Sequence, residues 1–318
     1  MGEGNRLSGV HRFAIATASC TVLLLVAGAL VTSNDAADSV PDWPLAYGKI
    51  VPPLIGGIGY EYTHRVIAAI VSILTLALAV WLTRVEKRRW MRRLGWTAVG
   101  LVVAQALLGA VRVLEGHAAI SATAHAILAQ IFFVTLVSLA LFTSKWWQGD
   151  VAVLKDEGSP SVNTLALWTT GVIFVQLILG AAFRHGAFGI LPHIIGAGVV
   201  AVMVIWTGAV AKRRFARIPA IRRSVIWLHA TFGTQIVLGG AAYWAILSAR
   251  DAPQPGLTYV ILSVAHVIVG ALTMAASMLL TLVCKRLLHR APEGAHAAEA
   301  GEGLAARSAP GHLEAGTR

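Results

Sequence analysis

The sequence predicts an all-α integral membrane protein whose eight transmembrane helices form two pseudo-symmetric four-helix bundles. Three observations predict it. The 318 residues are 57% hydrophobic and 13% charged, with a mean hydropathy of +0.71, well outside the composition of an ordinary soluble domain. Apolar stretches of roughly 20 residues, each able to cross a hydrocarbon core of ~30 Å as a helix, recur along the chain. Odd- and even-numbered stretches carry two different recurring residue patterns, which a duplication of four helices explains.

The spans run Phe13 to Thr32, Tyr62 to Leu82, Trp96 to Val113, Ile120 to Phe142, Leu165 to Phe183, Leu191 to Ala211, Val225 to Leu247 and Leu257 to Cys284. A formal charge of +11 suggests nucleic acid at first sight, but its distribution follows membrane topology, because cytoplasmic loops collect Lys and Arg. Arg6 and Arg12 precede the first span, and Arg84, Lys87, Arg88, Arg89, Arg92 and Arg93 follow the second. Lys145 and Lys155 lie between the fourth and fifth, Lys212, Arg213, Arg214, Arg217, Arg222 and Arg223 between the sixth and seventh, and Lys285, Arg286 and Arg290 after the eighth. Both termini are therefore expected in the cytoplasm, with no nucleic-acid partner and lipid as the surrounding phase. Lys49, Arg65, Arg112, Arg184 and Arg250 remain on the outer side.

Cys20 and Cys284 fall in distant spans and do not read as a disulfide or a zinc site. The N-terminus runs into the first span as an uncleaved anchor without a long transit peptide, which points to a bacterial inner membrane. The chain divides into an N-terminal half (1–143), a cytoplasmic linker (144–163), a C-terminal half (164–287) and a tail (288–318). The linker and the tail, with His289, His296 and His312, are expected to be solvated and disordered.

The odd spans share a motif: Gln105-Ala-Leu-Leu-Gly109-Ala110, Gln176-Leu-Ile-Leu-Gly180-Ala181 and Gln235-Ile-Val-Leu-Gly239-Gly240, with a weaker version at Leu25-Val-Ala-Gly28-Ala29. Small residues there let backbones or a flat ligand approach closely. The even spans answer with His64, His125, His193 and His266, each towards its outer end. An ionisable side chain inside a span marks a functional site, facing the bundle interior. Imidazole is the usual axial ligand of haem iron, and a bis-histidine haem needs one imidazole on each side of the macrocycle. The second and fourth spans would supply one pair, the sixth and eighth the other. A non-haem metal lacks nearby carboxylates or thiolates to complete its ligand set.

His229 lies at the wrong depth and reads as structural, His117 and His185 fall in short outer loops, and His11 in the basic N-terminus. Arg184 and Arg65 are placed to pair with haem propionates in the second and first halves, or to snorkel at the rim. Glu61 lies one helical turn before His64 on the same face. Beside a porphyrin edge its carboxylate would stabilise a developing positive charge or move a proton; an N-terminal acid favoured by the helix dipole is the plain alternative. The long first outer segment, Ser33 to Glu61, with Asp35, Asp38, Asp42 and the run Pro41-Asp-Trp-Pro-Leu-Ala-Tyr-Gly48, makes the halves unequal.

The stretch from Pro41-Asp-Trp-Pro to Tyr60-Glu-Tyr-Thr-His64-Arg65 resembles the haem A synthase family. Ala124-His-Ala-Ile-Leu-Ala-Gln130 resembles its fourth helix, and Ala265-His266 with Gly270-Ala271 its eighth. The resemblance implies an eight-helix bundle that oxidises a methyl group of haem O to the formyl group of haem A for cytochrome oxidase assembly. It implies a b-type haem cofactor on His193 and His266, substrate haem on His64 and His125, and Glu61 as the essential acid. A ferredoxin-like electron donor, handover from the haem O synthase that farnesylates protohaem, and a possible homo-oligomer go with it. Some bacterial relatives carry a cysteine pair flanking the aromatic-Pro run; here those positions are Val40 and Ala46, which removes any thiol step. The sixth span reads Pro192-His193-Ile194-Ile195-Gly196-Ala197, without the Arg that follows this histidine in many relatives, and the connection from Arg184 to Leu191 is short.

A dihaem b-type membrane cytochrome is the alternative. Electron relays across a membrane stack haems at two depths, whereas all four histidines here lie on the outer side. An inverted-repeat transporter would need oppositely oriented halves, and four helices per half makes them parallel.

Overall fold

A computed structural model of the chain describes residues 3–37, 39–114, 119–248 and 254–290. Eight helices are long and apolar enough to cross a membrane: α1 (Glu3–Ser33), α2 (Gly57–Val85), α3 (Arg89–Leu114), α4 (Ala119–Phe142), α5 (Val162–Arg184), α6 (Leu191–Phe215), α7 (Pro219–Ser248) and α8 (Leu257–Leu287). The chain is an all-α membrane protein. Helices overrun the apolar spans at their basic ends: α3 begins at Arg89, α6 keeps Lys212, Arg213 and Arg214 in its last turn, and α7 takes in Arg222 and Arg223. Intrahelical hydrogen bonding continues past the hydrocarbon boundary, where long basic side chains reach the headgroups.

Each half packs as a ring. Helix α1 contacts α2 and α4, with α3 between those two, and α5 contacts α6 and α8, with α7 between those two; the halves meet where α1 and α4 face α8 and where α4 faces α5. The first core gathers Val10, Leu78, Leu82, Met91 and Leu136, and the second Val162, Val204, Ile221, Leu228 and Leu280. A small cluster of Phe133, Ala271 and Ala275 joins them. Large apolar residues such as Ile73, Val202 and Val237 point outward, the surface a bilayer covers.

Polar contacts close the helix ends that carry the basic residues. Glu86 accepts from the Arg88 backbone N–H at 2.9 Å and from its guanidinium at 2.7 Å, while Arg88 also donates to the Phe142 carbonyl at 3.1 Å. His11 Nδ1 meets the Ala140 carbonyl at 3.0 Å and ties α1 to α4. Cys20 and Cys284 are both free.

The linker between the halves corrects an expectation, because it is folded. Ser144 caps a one-turn helix, Lys145–Gln148, and β1 (Leu154–Asp156) runs parallel to β2 (Leu288–Arg290), with Leu154 opposite Leu288 and Lys155 opposite His289. His289 thus belongs to a strand that directly continues α8. Asp156 is buried; its Oδ2 accepts from the Val162 N–H at 2.5 Å and its Oδ1 pairs with Arg214 at 3.4 Å. Arg286 donates to the Gly149 carbonyl at 2.6 Å and lies over the Trp147 ring. Polar composition suggested a solvated segment, but partners more than fifty residues away order it. The rest of the expected tail, with His296 and His312, lies outside the described residues, as do Asp38, His117 and Arg250.

Replacing Asp156 by Ala leaves the Val162 N–H and Arg214 without their buried acceptor. A loss of about 1–3 kcal/mol is expected, read as a lower Tm of the detergent-solubilised protein, with Asp156→Asn retaining part of it.

Candidate functional site

The four even-helix histidines sit against four odd-helix glycines. A Cβ placed on Gly28 would fall 3.1 Å from His64 Cε1, on Gly109 3.4 Å from His125 Cε1, on Gly180 2.8 Å from His193 Cε1 and on Gly239 3.0 Å from His266 Cε1. Three of the four distances are tighter than ordinary van der Waals contact, and the fourth is at its limit. The small residues of the odd spans therefore make room for imidazoles, rather than for a backbone or directly for a flat ligand.

The glutamine of the same motif supplies a second contact, one turn deeper. Gln105 Nε2 donates to the His125 carbonyl at 3.0 Å, and Gln176 Nε2 donates to the His193 carbonyl at 2.8 Å and lies 3.0 Å from its Nδ1. Gln235 Nε2 lies 3.3 Å from His266 Nε2. Gly196 and Gly270, one turn after their histidines, leave the space that Gln176 and Gln235 occupy. Sequence reasoning used only the glycine of this motif. The constant spacing of glutamine four residues before it was the signal for the glutamines.

The histidines form two pairs. His193 and His266 face each other with ring centroids 6.2 Å apart and planes at 87°, and His64 lies within electrostatic reach of His125. The Nδ1 atoms of His64, His125 and His266 are buried and make no hydrogen bond. Buried polar atoms without partners are costly and rare. Among the described residues no three His, Cys, Asp or Glu side chains come together as a metal site, so each pair offers iron two imidazoles and nothing else. That donor set fits a bis-imidazole haem and falls short of a tetrahedral ion's needs.

The two sites differ in their surroundings. Beside His64, Glu61 is 5% exposed; its Oε1 pairs with Arg65 at 2.7 Å and its Oε2 accepts from the Val40 N–H at 3.0 Å. Arg65 also donates to the carbonyls of Asp42 at 2.8 Å and Leu45 at 2.9 Å. This guanidinium therefore fastens the outer loop over Glu61. Gly57, at the start of α2, has no room for a side chain because Ser39 lies against it. The loop closes on Asp42, which accepts from the N–H groups of Tyr47 at 2.6 Å and Gly48 at 2.8 Å, with Gly48 in the left-handed region at φ 66°. The Gly48 N–H, followed by that of Tyr47 and by Arg65, holds the Asp42 carboxyl below its usual range. Val40 and Ala46 are buried at 1% and 2% exposure, so apolar packing occupies the positions where some relatives were expected to carry cysteines.

Above the second pair, Arg184 donates to the Ala29 carbonyl at 3.1 Å and to Ser33 Oγ at 2.7 Å, both on α1. It bridges the halves. His185, just after α5, is pulled down to about 4 by burial and by the positive charges of Arg112 and Arg184, so it is neutral at physiological pH. Arg112 reaches electrostatically to Glu61, His64, His125 and His185, and sequence reasoning gave it no role. His229 stands apart as a packing residue, its Nδ1 2.8 Å from the Val225 carbonyl and its ring filling the space over Gly208.

Two outcomes test this geometry. Gly180→Ala and Gly239→Ala should displace His193 and His266 and cost the purified protein about one haem's absorbance, with helix content by circular dichroism unchanged. The Asp42 carboxyl has a lowered pKa, so its ordering of the loop is fully present above the usual value and is lost as pH falls through the folded-state value, below about pH 4. Exchange of the Tyr47 and Gly48 amides should lose protection in that window, and Asp42→Asn should abolish the pH dependence.

Parts of the chain are similar to known proteins. Residues 59–192 match the family described as COX15-CtaA, cytochrome oxidase assembly protein, a segment that contains His64 and His125 and ends just before His193. A heme A synthase of Exiguobacterium sp. (strain ATCC BAA-1283 / AT1b) is 28% identical over 260 residues, covering 72% of this chain and 83% of the relative. One from Shouchella clausii is 26% identical over 294 residues, covering 87% and 95%. One from Lysinibacillus sphaericus is 36% identical over 131 residues, covering 40% and 41%.

Proposed function

From the match of residues 59–192 to the COX15-CtaA family and the likeness to heme A synthases, we propose that this chain is a haem A synthase, an oxidoreductase that converts a methyl group of haem O to the formyl group of haem A. The observation that carries the reading is the inequality of two otherwise matched histidine pairs. Among the described residues, only the pair in the first half has a buried carboxylate one turn away, held by Arg65 and the Val40 N–H.

His64 and His125 hold the substrate haem in this reading, and His193 and His266 a b-type haem that supplies electron transfer when bound. Glu61 has both oxygens held by donors, which fixes its carboxylate where it would stabilise positive charge building at a porphyrin edge. It can also take a proton there. Arg65 acts through Glu61 and the loop that covers it, and the loop excludes water from the reacting edge. Arg184 stands beside the cofactor pair, within electrostatic reach of His266, and fixes that pair against α1. Electrons come from a ferredoxin-like protein, and haem O from the farnesylating haem O synthase. The protein sits in the bacterial cytoplasmic membrane with both termini inside, which the basic residues between α2 and α3 and between α6 and α7 support. A dihaem relay across the membrane has no observation in its favour, because all four histidines occupy even helices towards one end.

Chromatography of haems extracted from the purified protein tests the reading. Haem B together with haem O or A is expected when the haem O-forming enzyme is co-expressed; haem B alone would overturn it. Glu61→Ala is expected to keep both haems and to lower haem A formation by about a hundredfold or more, whereas an electron relay would lose little.

A further inference from the structure

Arg112 is a charge in the first-half site for which the reading above has no use. It lies in the last turn of α3, three residues after Gly109, whose missing side chain admits the His125 ring, and seven after Gln105, which holds the His125 carbonyl. That spacing puts all three on the face of α3 that packs on His125. Arg112 Nε is buried and makes no hydrogen bond, and among the described residues the guanidinium has no ion-pair partner within 4.0 Å. Glu61, within electrostatic reach of Arg112, does not fill that gap, because both its oxygens are already bonded to Arg65 and to the Val40 N–H. Arg65 is spent on Glu61 and the loop, and Arg184 on α1.

A buried guanidinium nitrogen without an acceptor is costly, and the planar guanidinium fork matches a carboxylate with two parallel hydrogen bonds. We propose that Arg112 is a specificity-determining residue that binds a carboxylate on the edge of the substrate ring, in the haem reading a propionate. The proposal rests on the first half being the substrate site. It moves the carboxylate contact from Arg65 and Arg184, which are occupied, to a cation whose Nε has no partner among the described residues. It also gives the site something two axial imidazoles cannot supply. A flat ring held on an axis through His64 and His125 is free to rotate about that axis. One clamped edge fixes the rotation, and with it the methyl group that meets Glu61.

The test uses the full-length protein in detergent, titrated with ferric protohaem and with its dimethyl ester, and read by the Soret band. His64→Ala run in parallel isolates the first-half signal. The wild type is expected to bind the free acid about ten- to a hundredfold more tightly than the diester at that site. Arg112→Gln is expected to bind the two with equal affinity, and Arg112→Lys to retain part of the preference. A free-acid preference that survives Arg112→Gln overturns the proposal and leaves the substrate site standing. A His64→Ala titration identical to wild type overturns the substrate site, and the proposal with it. The acid-to-ester ratio does not move if Arg112 only supports the fold.

Discussion

The close approach of a glycine to an imidazole, made four times between neighbouring helices, is the constraint on which the rest of this protein depends. Imidazole is too polar to face lipid and too bulky to fit between two ordinary helix surfaces. Removing the side chain from the opposing helix solves the second problem, and turning the ring into the bundle solves the first. The spacing between α1 and α2, α3 and α4, α5 and α6, and α7 and α8 follows at that level. The glutamines then lock the histidine main chain or ring from one turn deeper, so three of the four imidazoles are positioned from two sides.

Against this shared frame, the differences between the halves become informative. The first has a long loop pinned by Asp42 and Arg65, a buried acid and an arginine whose Nε has no partner among the described residues. The second has no such acid beside its histidines among the described residues, and its Arg184 is turned across the interface. Ala29, which accepts from Arg184, adjoins Gly28, which accommodates His64. The two sites thus meet on adjacent residues of α1.

Much of this was legible in the sequence, because membrane spans declare themselves by length and apolar content. The eight helices, the four histidines and the turn linking Glu61 to His64 all follow from local spacing. Gln105, Gln176 and Gln235 were equally visible in their motif, yet their role is a contact across helices, and spacing along one helix does not show what lies opposite. The linker was misread for a related reason. Asp156 is ordered by Val162 and Arg214, and Leu154 by Leu288, so its order comes from residues that composition cannot connect. Arg65 and Arg184 looked alike as rim charges, and only their hydrogen-bond partners separate them.

The parallel pairing of β1 with β2 carries a consequence for how the chain is made. The first strand emerges from the ribosome before any helix of the second half, and its partner is translated only after the last of them. The N-terminus of α5 is held locally, by Asp156 through the Val162 N–H, but the strand pair at this end needs the whole C-terminal half to have been made. The first ring of four is complete in sequence before β1 is reached, so the pairing of Leu154 with Leu288 is a contact open only to a chain that already carries all four helices of the second half.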